Sequence, residues 1–133
     1  MDRRTLARAA GVLFVAVALG AFGAHGLKAR VSPEALGQWK TGVEYQFYHG
    51  LALLVLAGWA AHLSASTLRI LRVLFIAGVI CFSGSIYLLS TREIMHTEAL
   101  TPVLGPATPI GGLLLLTGWG LLLFKMLRGA EDR

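Results

Sequence analysis

The sequence predicts an all-α integral membrane protein: a four-transmembrane-helix bundle with an interfacial amphipathic helix between helices 1 and 2 and a proline-broken start to helix 4. Three observations lead there. Of the 133 residues, 56% are hydrophobic and 14% are charged, whereas a soluble domain carries about a quarter charged residues. The apolar residues gather into four long runs separated by charged segments. Lys and Arg sit between those runs and at the termini, where anionic lipid headgroups account for them.

A bilayer core of about 30 Å requires roughly 20 apolar helical residues. The runs Ala9–Leu27, Gln46–Leu63, Val73–Thr91 and Ala99–Phe124 meet or approach that length. They place the spans at about 8–27, 46–64, 70–91 and 109–127 within one membrane domain, residues 1–133. The first run follows Arg3, Arg4 and Arg8 and so has the outline of a signal peptide. It is too long for a typical signal core, so it is expected to be kept as the first span, with the arginines setting topology. The N-terminus, the second connection and the C-terminus (Lys125, Arg128, Arg133) together carry eight Lys and Arg, against four on the other two connections. By the positive-inside rule both termini are cytoplasmic, in a bacterial inner membrane.

The first connection has a helix start of its own. Ser32 suits a cap, Pro33 the first helical position and Glu34 the positive helix end. Leu36, Trp39, Val43 and Phe47 recur at helical spacing, which predicts an interfacial helix anchored by Trp39 and leading into the second span. Docking of a partner by that helix is the alternative.

Packing between helices in lipid relies on small residues and interhelical hydrogen bonds. The sequence offers Ala16, Gly20 and Ala24 on the first span, Ala57 and Ala61 on the second, Ala77, Cys81 and Ser85 on the third, and Thr108 and Gly112 on the fourth. In the fourth run, Pro106 and Pro109 remove backbone donors, and Gly105, Gly111 and Gly112 weaken the helix further. The regular helix is therefore expected to begin near Pro109 with Thr108 as its cap. Residues 100–107 are expected to be non-helical, which lipid tolerates only where protein or a wet cavity satisfies the backbone.

That topology gathers His25, Gln46, Tyr48, His49, Ser83, Ser85, Tyr87 and Thr108 toward the outer end as a candidate binding or polar cluster. His25 continues the face of Gly11, Ala18 and Ala21, where a neighbouring helix would approach. Two histidines without a third ligand make a weak metal signal; the bland alternative is that they satisfy backbone groups around the proline break. Bis-histidine haem ligation by His25 and His49 is the sharper one. Ser83 and Ser85 suit helix packing better than nucleophilic attack, and no carboxylate lies in a span, so no catalytic residue is assigned. His62 and His96 read as interfacial. The net charge of +5 forms no basic stripe with aromatics interleaved, so nucleic acid is excluded as a partner. The single cysteine, Cys81, excludes an internal disulfide.

Four ordered blocks carry a family resemblance. Gly20-Ala-Phe-Gly-Ala-His-Gly-Leu27, then Trp39 with Tyr45-Gln-Phe-Tyr-His-Gly-Leu-Ala52, then Phe82-Ser-Gly-Ser-Ile-Tyr87, then Gly105-Pro-Ala-Thr-Pro-Ile-Gly-Gly112 resemble the YgdD/YwdK-type family of small bacterial inner-membrane proteins. That family is a domain-of-unknown-function class, with a similar small transmembrane protein in animals. The resemblance implies four spans and no established activity, cofactor or substrate. The expected role is a non-enzymatic bundle that binds lipid, a membrane-protein partner or a second copy, without a metal or other cofactor. A small oligomeric transporter or channel and a His-based haem or metal protein are the alternatives.

Overall fold

A computed structural model describes residues 1–131, with side-chain surroundings as far as Arg128. Arg133, one of the C-terminal cations in the topology count, lies outside the described residues. Helix α1 spans Arg3–Phe22, opened by Asp2, whose Oδ1 accepts from the backbone N–H of Arg4 at 2.8 Å and Thr5 at 3.0 Å. It runs into a wider π-type turn at Gly23–Leu27. Helix α2 spans Pro33–Gly58, with Ser32 Oγ accepting from the Ala35 N–H and Pro33 in the first turn, as the sequence led us to expect. After a 3₁₀ turn at Ala60–His62, Ser64 caps α3, Ala65–Ser90. A short α4, Arg92–Met95, ends at His96 in the left-handed conformation (φ 53°). A second 3₁₀ turn, Glu98–Leu100, leads into α5, Thr101–Glu131.

Helix α1 packs on α2, α2 on α3, and α3 on α5. Buried Ala9, Leu53, Leu56, Leu71, Phe75 and Leu115 fill the centre, and Leu27, Trp39 and Val43 form a second apolar cluster beside the π-type turn. Large side chains such as Phe14, Ile80, Val103 and Leu116 point outward, each at least 65% exposed. Three segments, Arg3–Leu27, Ala65–Ser90 and Glu98–Arg128, are long and apolar enough to cross a membrane. Helix α2 does not meet that composition, because Glu44, Gln46 and His49 fall in the middle of it. The small-residue stripes are used in part: Ala16 and Ala57 are fully buried, while Ala24 and Ala61 are exposed. The tightest approach is between α3 and α5, where a Cβ on Gly111 would collide with the backbone of Phe82.

Two expectations are overturned. The fourth long helix is not broken before Pro109: α5 is helical from Thr101, and both Pro106 and Pro109 lie inside it. Pro102 occupies the first turn, where a missing N–H costs nothing. The two inner prolines each delete one bond from an otherwise intact ladder, a loss that membrane helices tolerate. Thr108 is accordingly not a cap. The interfacial helix is likewise not a separate element, since Pro33–Gly58 is continuous. Trp39 does not anchor at a surface; it is buried, and its indole N–H donates to the Leu19 carbonyl at 2.9 Å. Its ring lies where a Cβ on Gly23 would stand, 2.6 Å from that position, so only glycine admits it.

A polar staple closes the end of the bundle that holds the N-terminus. The Asp2 N–H donates to the Ala57 carbonyl at 2.9 Å, tying the start of α1 to the end of α2. Arg72 Nη1 donates to Thr5 Oγ1 at 3.1 Å and lies 3.6 Å from Asp2 Oδ2. The Thr5 N–H bond to Asp2 is the largest influence holding that carboxyl below its ordinary range, with the Arg4 N–H and the Arg72 charge acting the same way. A depressed folded-state pKa means that the unfolded chain takes up its proton first. Asp2 therefore stabilises the fold fully above the ordinary carboxylate range and loses that contribution as pH falls through its lowered value. In detergent, the thermal midpoint of the natural chain should fall more steeply between about pH 5 and pH 3 than that of Asp2→Asn, which keeps the cap but not the charge. Parallel pH profiles for the two proteins would show that the charge contributes nothing.

Candidate functional site: a polar network between the helices

Helix α2 supplies the centre of the network. Gln46 and His49 lie one turn apart on its buried face, each 5% exposed. Gln46 Nε2 donates to the Val12 carbonyl of α1 at 2.9 Å, and its Oε1 accepts from the Tyr87 hydroxyl of α3 at 2.8 Å. One amide thus bridges three helices. The Tyr87 ring packs on Trp39, with ring centroids 4.6 Å apart, and against Gly42, where a Cβ would come within 2.8 Å of it.

His49 is satisfied at both nitrogens. Nδ1 lies 2.8 Å from the Tyr45 carbonyl, and Nε2 lies 3.1 Å from Nε1 of Trp119 on α5. An indole N–H can only donate and a carbonyl can only accept, so the geometry is that of a neutral ring with its proton on Nδ1. Phe75 and Trp119 pack beside it, their ring centroids 5.1 Å apart. Ser85 Oγ donates to the Phe82 carbonyl at 3.0 Å and meets Thr108 Oγ1 at 2.6 Å, which joins α3 to α5.

The structure therefore brings Gln46, Tyr87, His49, Ser85 and Thr108 into contacts that link neighbouring helices. Ser83 is buried, but its hydroxyl has no hydrogen-bond partner. His25 and Tyr48 do not join the cluster. Tyr48 is 56% exposed, and His25 is exposed, as are Gly11, Ala18 and Ala21, on the face where a neighbouring helix was expected. Within the wider turn at Gly23–Leu27, Gly23 and Leu27 are the residues packed toward Trp39, and His25 between them is exposed. Trp119 was not anticipated. Its signal was an indole N–H inside an apolar run, a donor that hydrocarbon leaves unsatisfied. Leu19 and Val12 take part only through their carbonyls, and carbonyl partners leave no trace in side-chain pattern.

The arrangement supplies hydrogen bonds between helices rather than an open reactive group. His25 and His49 do not share a site, and a ring nitrogen of His49 could ligate only by giving up one of its present bonds. Among the described residues, no group of three or more His, Cys, Asp or Glu gathers as metal ligands would. Replacing His49 by Leu strands the Trp119 N–H and should cost about 1–2 kcal/mol of stability in detergent, the upper range for such bonds. His25→Leu should leave the thermal midpoint near that of the natural protein. Equal losses in the two variants would show that the exposed histidine has a partner in the folded state.

Comparison with known proteins places this architecture. The family described as "Protein of unknown function (DUF423)" matches residues 19–112. The UPF0382 membrane protein YwdK of Bacillus subtilis is 42% identical over 106 residues, covering 79% of this chain and 80% of that protein. A UPF0382 membrane protein of Staphylococcus aureus is 40% identical over 116 residues, covering 87% and 88%. One from Schizosaccharomyces pombe is 41% identical over 110 residues, covering 82% and 89%. No solved structure matches. An all-helical chain with three apolar membrane-length segments, matched to membrane proteins over most of its length, is a member of the DUF423 (UPF0382) family of membrane proteins of unknown function.

Proposed function

We propose that this chain is a non-enzymatic four-span bundle that binds a lipid, or a partner protein at the same surface, with both termini on the cytoplasmic side of a bacterial inner membrane. Helix α2 serves as the fourth span: its 26 residues suffice in length, and two of the polar side chains that lower its hydropathy, Gln46 and His49, are turned onto α1, α3 and α5, while Glu44 is exposed. The outer-face orientation follows from the distribution of Lys and Arg.

One observation carries the binding role. Helices α1 and α3 are bridged by α2 and approach each other only weakly, which leaves a groove open along the side of the bundle. Its two stretches, of about 440 and 380 Å³, share Gly11, Val12, Ile76 and Ile80. The walls are apolar, Arg8 stands at one end, and Gln46 and Tyr87 lie toward the other. A cation at the mouth of an apolar channel suits a lipid with an acidic headgroup and an acyl chain. The transporter alternative loses its motive, because the helix expected to be discontinuous is continuous.

Gly11 and Gly84 line the groove, and a Cβ on either meets nothing within 4 Å. Gly11→Leu with Gly84→Leu should fill the channel without strain. By native mass spectrometry from mild detergent, the natural chain should retain lipid, and the double variant should retain several-fold less at an unchanged thermal midpoint. Undiminished retention in a folded double variant, or turnover of a small substrate by the purified protein, would contradict the proposal.

A further inference from the structure

At the opposite end of the bundle from the Asp2 staple, a small polar cleft lies between the start of α2 and the corner joining α3 to α4. It encloses about 120 Å³, well above the ~10–15 Å³ that one water requires. Arg30, Arg92, Glu34 and Glu93 line it, with Ser32 and Gln38. Two cationic and two anionic residues therefore border one cavity, Arg92 half-buried and the other three exposed. None of the four pairs with another, since the one ion pair among the described residues is Arg72 with Asp2. Arg92 turns only a long 3.4 Å bond onto the Leu89 carbonyl. The first turn of the 26-residue α2 borders the same cleft and adds the positive end of its dipole.

The cleft does not stop at its polar floor. A second cavity of about 310 Å³ shares Gln38, Leu89 and Arg92 with it and continues past Thr41, Ile86 and Thr108 between α2, α3 and α5. A polar chamber thus opens onto a cleft that runs into the bundle.

We propose that this end of the bundle binds a phosphoethanolamine group, a phosphate joined to a primary ammonium, either as a phospholipid headgroup or as the free compound. The two guanidinium groups and the α2 N-terminus take the phosphate, for which Arg offers paired N–H donors. Glu34 and Glu93 take the ammonium through its N–H groups. Each half of the ligand thereby meets the charges that the protein leaves unpaired. A simple anion would leave both carboxylates facing phosphate. A choline headgroup presents no N–H to them. If the phosphate belongs to a lipid, its chain enters the adjoining cleft; that lipid source rests on the binding role proposed above, while the headgroup chemistry does not.

The test uses the full chain, stripped of lipid in mild detergent and titrated with phosphatidylethanolamine, phosphatidylcholine or phosphatidylglycerol under native mass spectrometry. In the Gly11→Leu, Gly84→Leu background, which fills the groove that favours acidic headgroups, phosphatidylethanolamine should be retained about tenfold better than the other two, the factor expected from one charge-assisted bond. The variants Arg30→Gln with Arg92→Gln, and separately Glu34→Gln with Glu93→Gln, should each remove that preference at an unchanged thermal midpoint. Free phosphoethanolamine that binds the natural chain when no lipid is retained supports the site and assigns it to a soluble ligand, at the expense of the lipid-binding role. Equal retention of the three lipids, or a preference that survives both double variants, overturns the site while leaving the groove between α1 and α3 intact. Failure to bind any lipid or free phosphoethanolamine overturns both.

Discussion

Hydrocarbon offers no water to a polar group, so each donor and acceptor carried into a span must find its partner within the protein. The arrangement of the helices follows from that constraint. Trp39 reaches a carbonyl of α1, Gln46 another carbonyl of α1 and the hydroxyl of Tyr87, His49 the indole of Trp119, and Ser85 the hydroxyl of Thr108. Each contact crosses from one helix to the next, and apolar packing alone gives helices little preference for each other over lipid. These polar side chains are few and specific about depth, with Trp39, Gln46, His49 and Ser85 buried at the joins and Tyr87 and Thr108 half-buried.

Small residues allow those contacts to form. The indole of Trp39 can reach Leu19 because Gly23 leaves room for its ring, and Tyr87 can reach Gln46 because Gly42 does the same. Along α3 and α5 the backbones approach so closely at Gly111 that the Ser85–Thr108 bond needs no long side chain. Hydrogen bonds and glycines are two halves of one solution, in which a missing Cβ brings the donor within range. The same solution explains why α2, the most polar of the long helices, is held by neighbours on several sides while α1 touches chiefly α2.

Much of this was legible in the residues. Three of the four apolar runs, the cap at Ser32 and the buried positions of Gln46, His49 and Ser85 followed from hydropathy, turn chemistry and the cost of polar groups in lipid. Three features were not. Proline and glycine content around 105–112 pointed to a broken helix, but only the neighbours of α5 decide whether two missing backbone bonds matter. His25 lies within a single wide turn, and such a widening leaves no mark in composition. Trp39 has the amphipathic form of an interfacial anchor and the donor of a buried cross-link, and only the position of Leu19 distinguishes the two.

Gln46 is a joint between three helices, bonded to Val12 of α1 and Tyr87 of α3. A double-mutant cycle with Gln46→Leu and Tyr87→Phe, followed by unfolding in detergent, measures that joint directly. Interhelical bonds of this kind couple by about 0.6 kcal/mol on average and up to about 1.7, so the two losses should fall short of additivity by an amount in that range. Losses that add within about 0.3 kcal/mol would contradict the claim that these polar side chains hold the bundle together.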